Sequence, residues 1–381
     1  MPQPVLGILT IYMNEKKQLE ERSIYQKMTI AGKKIGIDLF VFTPEDVDQR
    51  KKLINGMFYQ VQSNKWTRKW TSFPNLIFDR ARLQKSYRFT QLRQFRSRYH
   101  SLLFLNRPLG DKWSTYQTLK ENSLISPHLP ATKVFTSPDD VLQMLKREGI
   151  VFVKPINGTG GRGIMRIEKC KNPKLFYIQG RDLRRKIIHP QKIHAATLGA
   201  KLNVWTSNRP YIVQKGIQVK LPDGRVHDYR MLVQKDGSGN WGVTGCAGRV
   251  GPQKSVTSNL HGGGIAVGML KLLEVWIEDE EKIKQVKETA EKLGVETAKH
   301  LEQKYGALCE LALDLAIDRD GNVWLLEVNP KPAREVFQLA GEKETYNQAI
   351  SKPLEYALWL YNQKALKVKR AKKTSTSKER K

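Results

Sequence analysis

The stretch LALDLAIDRDGNVWLLEVNPKP, residues 311 to 332, constrains this chain more than any other. It reads as two apolar strands joined by the turn DRDGN. Asp314 interrupts the first strand. Glu327 and Asn329 interrupt the second, two residues apart and so on one face. The 13-residue offset from Asp314 to Glu327 lets a hairpin fold the two carboxylates side by side. An uncompensated charge on an apolar strand is costly to bury. A magnesium ion would compensate it, because a hard cation accepts carboxylate, amide and phosphate oxygens together. The plainer alternative is the exposed face of an edge hairpin.

A second stretch asks for phosphate. FVKPINGTGGRGIMRI, residues 152 to 167, sets Lys154 at the end of an apolar strand before a loop holding Gly158, Gly160, Gly161 and Gly163. The glycines spell GxGxxG, yet IMRIEK continues as a strand where a dinucleotide-binding loop opens a helix. A P-loop requires Lys and then Ser or Thr after its last glycine, and Ile164 stands there. A protein-kinase loop has its lysine on the following strand, and neither HRD nor DFG occurs in the chain. What remains is a hairpin lid whose backbone N–H groups approach phosphate oxygens, with Lys154 as a point charge beneath. A surface hairpin with a solvated lysine is the other reading.

The 381 residues, 40% of them hydrophobic, suffice for two or three packed subdomains and argue against wholesale disorder. The opening MPQPVLGILTIYMNEKK has no basic region before a short apolar run, so neither an export signal nor a membrane span is expected. Cys170, Cys246 and Cys309 are scattered and lack paired histidine ligands, which fits a reduced, cytoplasmic chain. The net charge is +29. The last 18 residues, 364 to 381, hold nine basic residues and one acid, and read as a disordered basic tail able to meet an anionic surface. A second basic stretch, DRARLQKSYRFTQLRQFRSRYH, spaces Leu83, Tyr87, Leu92, Phe95 and Tyr99 as one helical face. It is either a solvated face or a contact for an anionic substrate, nucleic acid or cell-wall polymer. No nucleic-acid-binding module or interleaved aromatic platform accompanies the charge, so a nucleic-acid partner is not expected.

Along the chain, VLGILTIY and IDLFVF read as strands flanking a helix over residues 16 to 35, a β-α-β opening. Strands follow near Leu76 to Phe78 and Leu102 to Leu105, then a boundary near Asn106 to Gly110 and a helix capped by Asp111. SPDDVLQMLKREG is a helix capped by Ser137 with proline at its first position, leading into the strand that bears Lys154. A long helix spanning residues 278 to 306 places Ile283, Val286, Ala290, Leu293 and Leu301 on one face.

FVKP with its glycine-rich loop, then YIVQKGI, DYRMLV, and finally ALDLAI with LLEVNP, resembles the ATP-grasp superfamily over most of residues 100 to 340. GILT, the FDR ending at residue 80, LFLNRPLGDKW and NLHGGG further resemble the YheC/YheD-type proteins associated with endospore coats. The resemblance implies an α/β architecture with α+β subdomains: an N-terminal α/β domain (1–106), a central subdomain with the glycine-rich lid (107–214), a C-terminal subdomain with the metal site (215–363), and the basic tail (364–381). It implies that Lys154 and Lys112 contact phosphates of ATP, that the backbone around Gln214, Lys215 and Ile217 meets adenine, and that Asp314, Glu327 and Asn329 hold Mg2+. Lys215 departs from the acidic residue many relatives carry at that position, which bears on the ribose side of the nucleotide.

An arginine fork binds carboxylate or phosphate at two points. By the resemblance, Arg230 and Arg249 would steady the γ-phosphate and the acyl-phosphate formed from it; surface salt bridges are the alternative. Asn259 and His261 lie in a loop on the substrate side, with His261 either a general base or a loop-stabilising residue. The expected function is ATP-dependent joining of a carboxylate to an amine with release of ADP, in the cytoplasm or in association with the spore coat. The rival is a nucleotide-binding structural protein of the spore without ligation.

Overall fold

The computed structural model describes residues 3–82, 86–158, 160–184, 186–207, 209–258, 260 and 263–378, with side chains through Leu366. Among these residues three sheets follow one another along the chain.

The first sheet contains β1 (Val5–Leu9), β2 (Asp38–Phe42), β3 (Val47–Asp48), β4 (Leu53–Gln60), β5 (Lys65–Ser72) and β6 (Leu76–Asp79). β1 pairs in parallel with both β2 and β6, and Leu6, Ile8 and Leu9 are fully buried, as a strand covered on both faces requires. Helix α1 (Arg22–Lys34) is the crossover of the expected β-α-β unit. It begins six residues later than the sequence suggests. Lys17 has a φ of 53°, and Asn14 donates to the Gln18 side chain at 2.7 Å, so the intervening segment is a turn. The β4–β5 hairpin was not foreseen. The expected strand at Leu102 to Leu105 reduces to a single parallel bridge between Ile77 and Phe104.

Helix α2 (Tyr87–Arg98) forms most of the second basic stretch. Leu92 and Phe95 are buried, whereas Tyr87 is exposed, and Leu83 lies outside the described residues. Arg88 pairs with Glu45 at 2.7 Å and Arg96 with Asp79 at 2.7 Å. Part of this basic face is therefore neutralised within the domain.

Helix α3 (Lys112–Lys120) starts where expected, the Asp111 carboxylate accepting from Ser114 N–H at 2.8 Å. The second sheet comprises β7 (Thr132–Val134), β8 (Ile150–Pro155), β9 (Ile164–Lys169), β10 (Leu175–Arg181), β11 (Ile187–His194) and β12 (Tyr211–Lys215), in the order β11-β10-β9-β8-β12-β7. Helices α4 (Pro138–Glu148) and α5 (Ala195–Thr206) pack on it. Ser137 and Asp140 form the capping box of α4.

The third sheet runs β15-β14-β13-β16-β17, from β13 (His227–Lys235), β14 (Trp241–Val250), β15 (Ile265–Gly268), β16 (Glu310–Ile317) and β17 (Val323–Asn329). Helix α6 (Met269–Trp276) precedes α7 (Glu280–Tyr305), which buries the five residues of the expected stripe. After α8 (Glu335–Leu339), helix α9 (Lys343–Lys378) returns to pack against α1. Ala349, Ile350 and Leu354 share a core cluster with Ile24, Tyr25 and Met28 of α1, so the last helix ties the first and third layers together. Residues 379–381 of the expected disordered tail lie outside the described residues, and 364–378 continue α9. Its early turns are nucleated by packing, and the Ala- and Lys-rich sequence beyond them propagates a helix at little cost.

Candidate functional site

The hairpin β16–β17 brings its acids together through one irregularity. Ile317, Ala316 and Leu315 pair with Val323, Trp324 and Leu325, but the next pair is Asp314 with Glu327, because Leu326 is bulged out. Without that bulge Asp314 would face Leu326, and the carboxylates would lie on opposite faces. Asn329 follows on the Glu327 face, opposite Ala312. Its side chain makes no hydrogen bond to a described residue. The three expected ligands thus share one surface of the third sheet.

Two arginines complete this surface from neighbouring strands. Arg230 on β13 sits opposite Asp314 and grips it with Nε at 2.6 Å and Nη2 at 3.1 Å. Arg249 on β14 grips Asp228 in the same forked manner, at 2.7 and 2.6 Å, and its Nη2 lies 3.3 Å from Asp314 Oδ1. Burial pushes the Asp314 carboxyl upward, but Arg230 and Arg249 outweigh it and hold the group below its ordinary value. Burial disfavours the Arg249 cation, and Asp228 and Asp314 more than restore it. Asp228 was missed in the sequence. It alternates with Arg230 in HDYRML, so the two-residue period of a strand was the available signal.

The lysines approach from the other side. Lys112, the first residue of α3, donates to Glu327 Oε1 at 2.7 Å and to the Gly158 carbonyl at 2.8 Å. Lys154, on β8, donates to Gln214 Oε1 at 2.6 Å, and Gln214 in turn donates to Thr132 at 3.1 Å. Burial pulls the Lys154 ammonium down to about 8; Glu327 and Asp314 oppose this shift and Lys112 adds to it. The lid folds through left-handed glycines, with Gly160, Gly161 and Gly163 all at a φ of 69°. At Gly163 this left-handed φ is the constraint, since the nearest atom to a β-carbon there would be the movable end of the exposed Leu183 side chain.

Lys215 ends β12 with its ammonium 3.2 Å from Glu148 and 5.1 Å from the centre of the Trp324 ring on β17. It links the second and third sheets by its side chain. Gly216 N–H is taken by Ile150, and Ile217 follows half-buried at the strand's exit. Asn259 and His261 lie outside the described residues.

No group of three or more His, Cys, Asp or Glu suited to a metal occurs among the described residues. The donor set that shares this face is two carboxylates and one amide, a type of oxygen set that suits a hard cation. No described helix is long and apolar enough to cross a membrane.

The profile of the YheC/D-like ATP-grasp family matches residues 101–360. The chain is 26% identical over 341 residues to the endospore coat-associated protein YheC of Bacillus subtilis strain 168, covering 87% of this chain and 90% of that protein. Among solved structures, the D-cycloserine synthetase DcsG superposes with a TM-score of 0.54 at 14% identity, covering 94% of this chain and 99% of that one. The ATP-grasp ligase PsnB, solved with a minimal precursor, superposes with a TM-score of 0.51 at 15% identity, covering 91% and 98%. The architecture is the ATP-grasp fold, and the chain belongs to the YheC/D-like ATP-grasp family.

Proposed function

We propose that this chain is an ATP-dependent carboxylate–amine ligase that forms an acyl-phosphate and releases ADP. The observation that carries the reading is the pairing of Asp314 with Glu327 on a surface approached by Lys112 and Lys154 from beneath a glycine lid. The solved ligase and synthetase of the same fold support the reaction class.

ATP lies between the second and third sheets, its adenine against the backbone of Gln214, Lys215 and Ile217. Lys154 and Lys112 place charge on the phosphates, and Gly158, Gly160, Gly161 and Gly163 let lid N–H groups approach them. Asp314, Glu327 and Asn329 hold magnesium. The ion, when bound, supplies neutralisation of the terminal phosphates. Arg230 and Arg249 each keep Nη1 free of described partners, so each can orient an acid and still donate to a phosphate oxygen. The substrate carboxylate attacks the γ-phosphorus and ADP leaves; an amine then attacks the acyl carbon and phosphate leaves. Protein groups position and neutralise throughout. Asn259 and His261 belong to the substrate side of this scheme.

A second reading has its own observation. Both acids are already matched, Asp314 by Arg230 and Glu327 by Lys112, as in a protein that keeps the fold for nucleotide-responsive structure in the spore coat. ATP turnover against pooled amino acids, peptides and cell-wall fragments, with mass spectrometry of any joined product, separates the two. ADP with a new ligated mass supports the ligase. Metal-dependent ATP binding with no ADP from any pool supports the structural protein.

A further inference from the structure

Two sequence motifs find no use in the nucleotide chemistry above: FDR, residues 78 to 80, and LFLNR within the junction, residues 103 to 107. They meet at one place. The turn Pro330-Lys331-Pro332 leaves β17 directly after Asn329, and its two prolines have no N–H to donate. Its carbonyls are therefore its main backbone hold. Asn106 Nδ2 donates to the Pro330 carbonyl at 3.0 Å, while Asn106 Oδ1 accepts from Cys309 N–H, just ahead of β16, at 2.8 Å. Arg80 Nη2 donates to the Pro332 carbonyl at 2.9 Å. Lys331 Nζ returns to Asp79, 3.3 Å from Oδ1 and in contact with its carbonyl.

These anchors are rigid. Asn106 is 0% and Arg80 1% exposed. Arg80 is itself held by Glu21 at 2.7 Å and by Glu310 on β16, and Arg334 pairs with the other Glu310 oxygen while donating to Pro332 at 3.3 Å. One amide thus spans the strand that carries Asp314 and the turn that follows Asn329. One guanidinium spans the end of β6, the start of β16 and the same turn.

We propose that Asn106 and Arg80 are positioning residues of the first domain that set the exit of β17, and through it the placement of Glu327 and Asn329 toward magnesium. The inference rests on those residues holding the ion. Partners of this kind behind a ligand change metal affinity by about 10- to 100-fold when altered.

The test measures ATP binding by calorimetry at a series of Mg2+ concentrations and in EDTA. Asn106→Asp keeps the acceptor for Cys309 N–H and deletes the donor to Pro330. Arg80→Lys keeps the charge and loses the fork. Asp46→Asn is the control, since it weakens a different buried network, with Tyr12, Thr43 and Arg68, that makes no contact to the turn or to its anchors. The expected result is an increase of about tenfold in the Mg2+ concentration for half-saturation in Asn106→Asp and Arg80→Lys, with ATP binding in EDTA unchanged. Asp46→Asn lowers thermal stability and leaves the Mg2+ midpoint in place. Where Arg80→Lys does not fold, Asn106→Asp alone decides. Midpoints that stay at the wild-type value in folded Asn106→Asp overturn the inference, as does a midpoint that moves equally in all three variants. Wild-type protein that binds ATP equally in EDTA overturns the metal reading first, and the positioning role with it.

Discussion

Lys112 Nζ stands 2.7 Å from Glu327 Oε1 and 2.8 Å from the Gly158 carbonyl, so one ammonium joins an acid of the third sheet to the lid of the second. In this state the lysine occupies the charge that a cation would take. A phosphate arriving between them can draw the ammonium away and leave the carboxylate to a metal.

Lys112→Met separates these two roles. Without nucleotide, the freed Glu327 should bind Mg2+ roughly fivefold more tightly, which corresponds to ~1 kcal/mol for a partly exposed pair. ATP binding should weaken, because a phosphate contact is lost. Calorimetric titrations of Mg2+ alone and of ATP check both directions. Unchanged Mg2+ affinity would show that the pair does not compete with a cation.

Lys154 gives a pH signature. Its ammonium is pulled down to about 8 by burial, so the free protein loses this charge as pH rises through that value. A bound phosphate would favour the charged form and raise the group again, so binding takes up a proton above pH 8. ATP affinity should be level below pH 8 and fall above it. Lys154→Met should weaken ATP binding by about 1.5 to 3 kcal/mol and flatten this part of the profile. A profile that keeps its fall in Lys154→Met would assign the titration elsewhere.

Much of the site was legible because strand periodicity and hairpin offset are local properties. Asp314, Glu327 and Asn329 come to one surface as their spacing suggests. The bulge at Leu326 that makes the offset work leaves no mark in the sequence, since any residue can be extruded from a ladder. The pairing of Lys112 with Glu327, 215 residues away, depends on how two sheets face each other, and no local pattern encodes it. The β4–β5 hairpin escaped notice because its second strand, KWTRKWTS, is mostly exposed and too polar to read as half-buried. The helix over residues 364–378 is hidden from the sequence for a related reason. Low hydrophobicity signals no core, but a helix already nucleated by packing needs none to continue.

The end of α9 yields a prediction about charge. Truncation after Gln363 removes nine basic residues and one acid, a change of 8 in net charge. Among the residues of α9 whose burial is described, through Leu366, the last buried one is Ala357, so thermal stability and ATP affinity should be nearly unchanged. If the segment serves an anionic surface, binding of the full chain to anionic vesicles or polymer should fall steeply with salt, and truncation should remove most of it. A large loss of thermal stability on truncation would show instead that the segment packs on the body.

The products formed from ATP with and without Mg2+, in the wild type and in Glu327→Gln, decide whether the site transfers a phosphoryl group. Phosphoryl transfer to a carboxylate predicts ADP and phosphate, dependent on Mg2+. Glu327→Gln should depress this strongly and be only partly rescued by added Mg2+, because an amide is the weaker ligand; Asn329→Ala should be milder, since water can replace a neutral ligand. AMP and pyrophosphate would mean attack at the α-phosphorus. That outcome, or ATP binding and turnover indifferent to both Mg2+ and Glu327→Gln, contradicts the account.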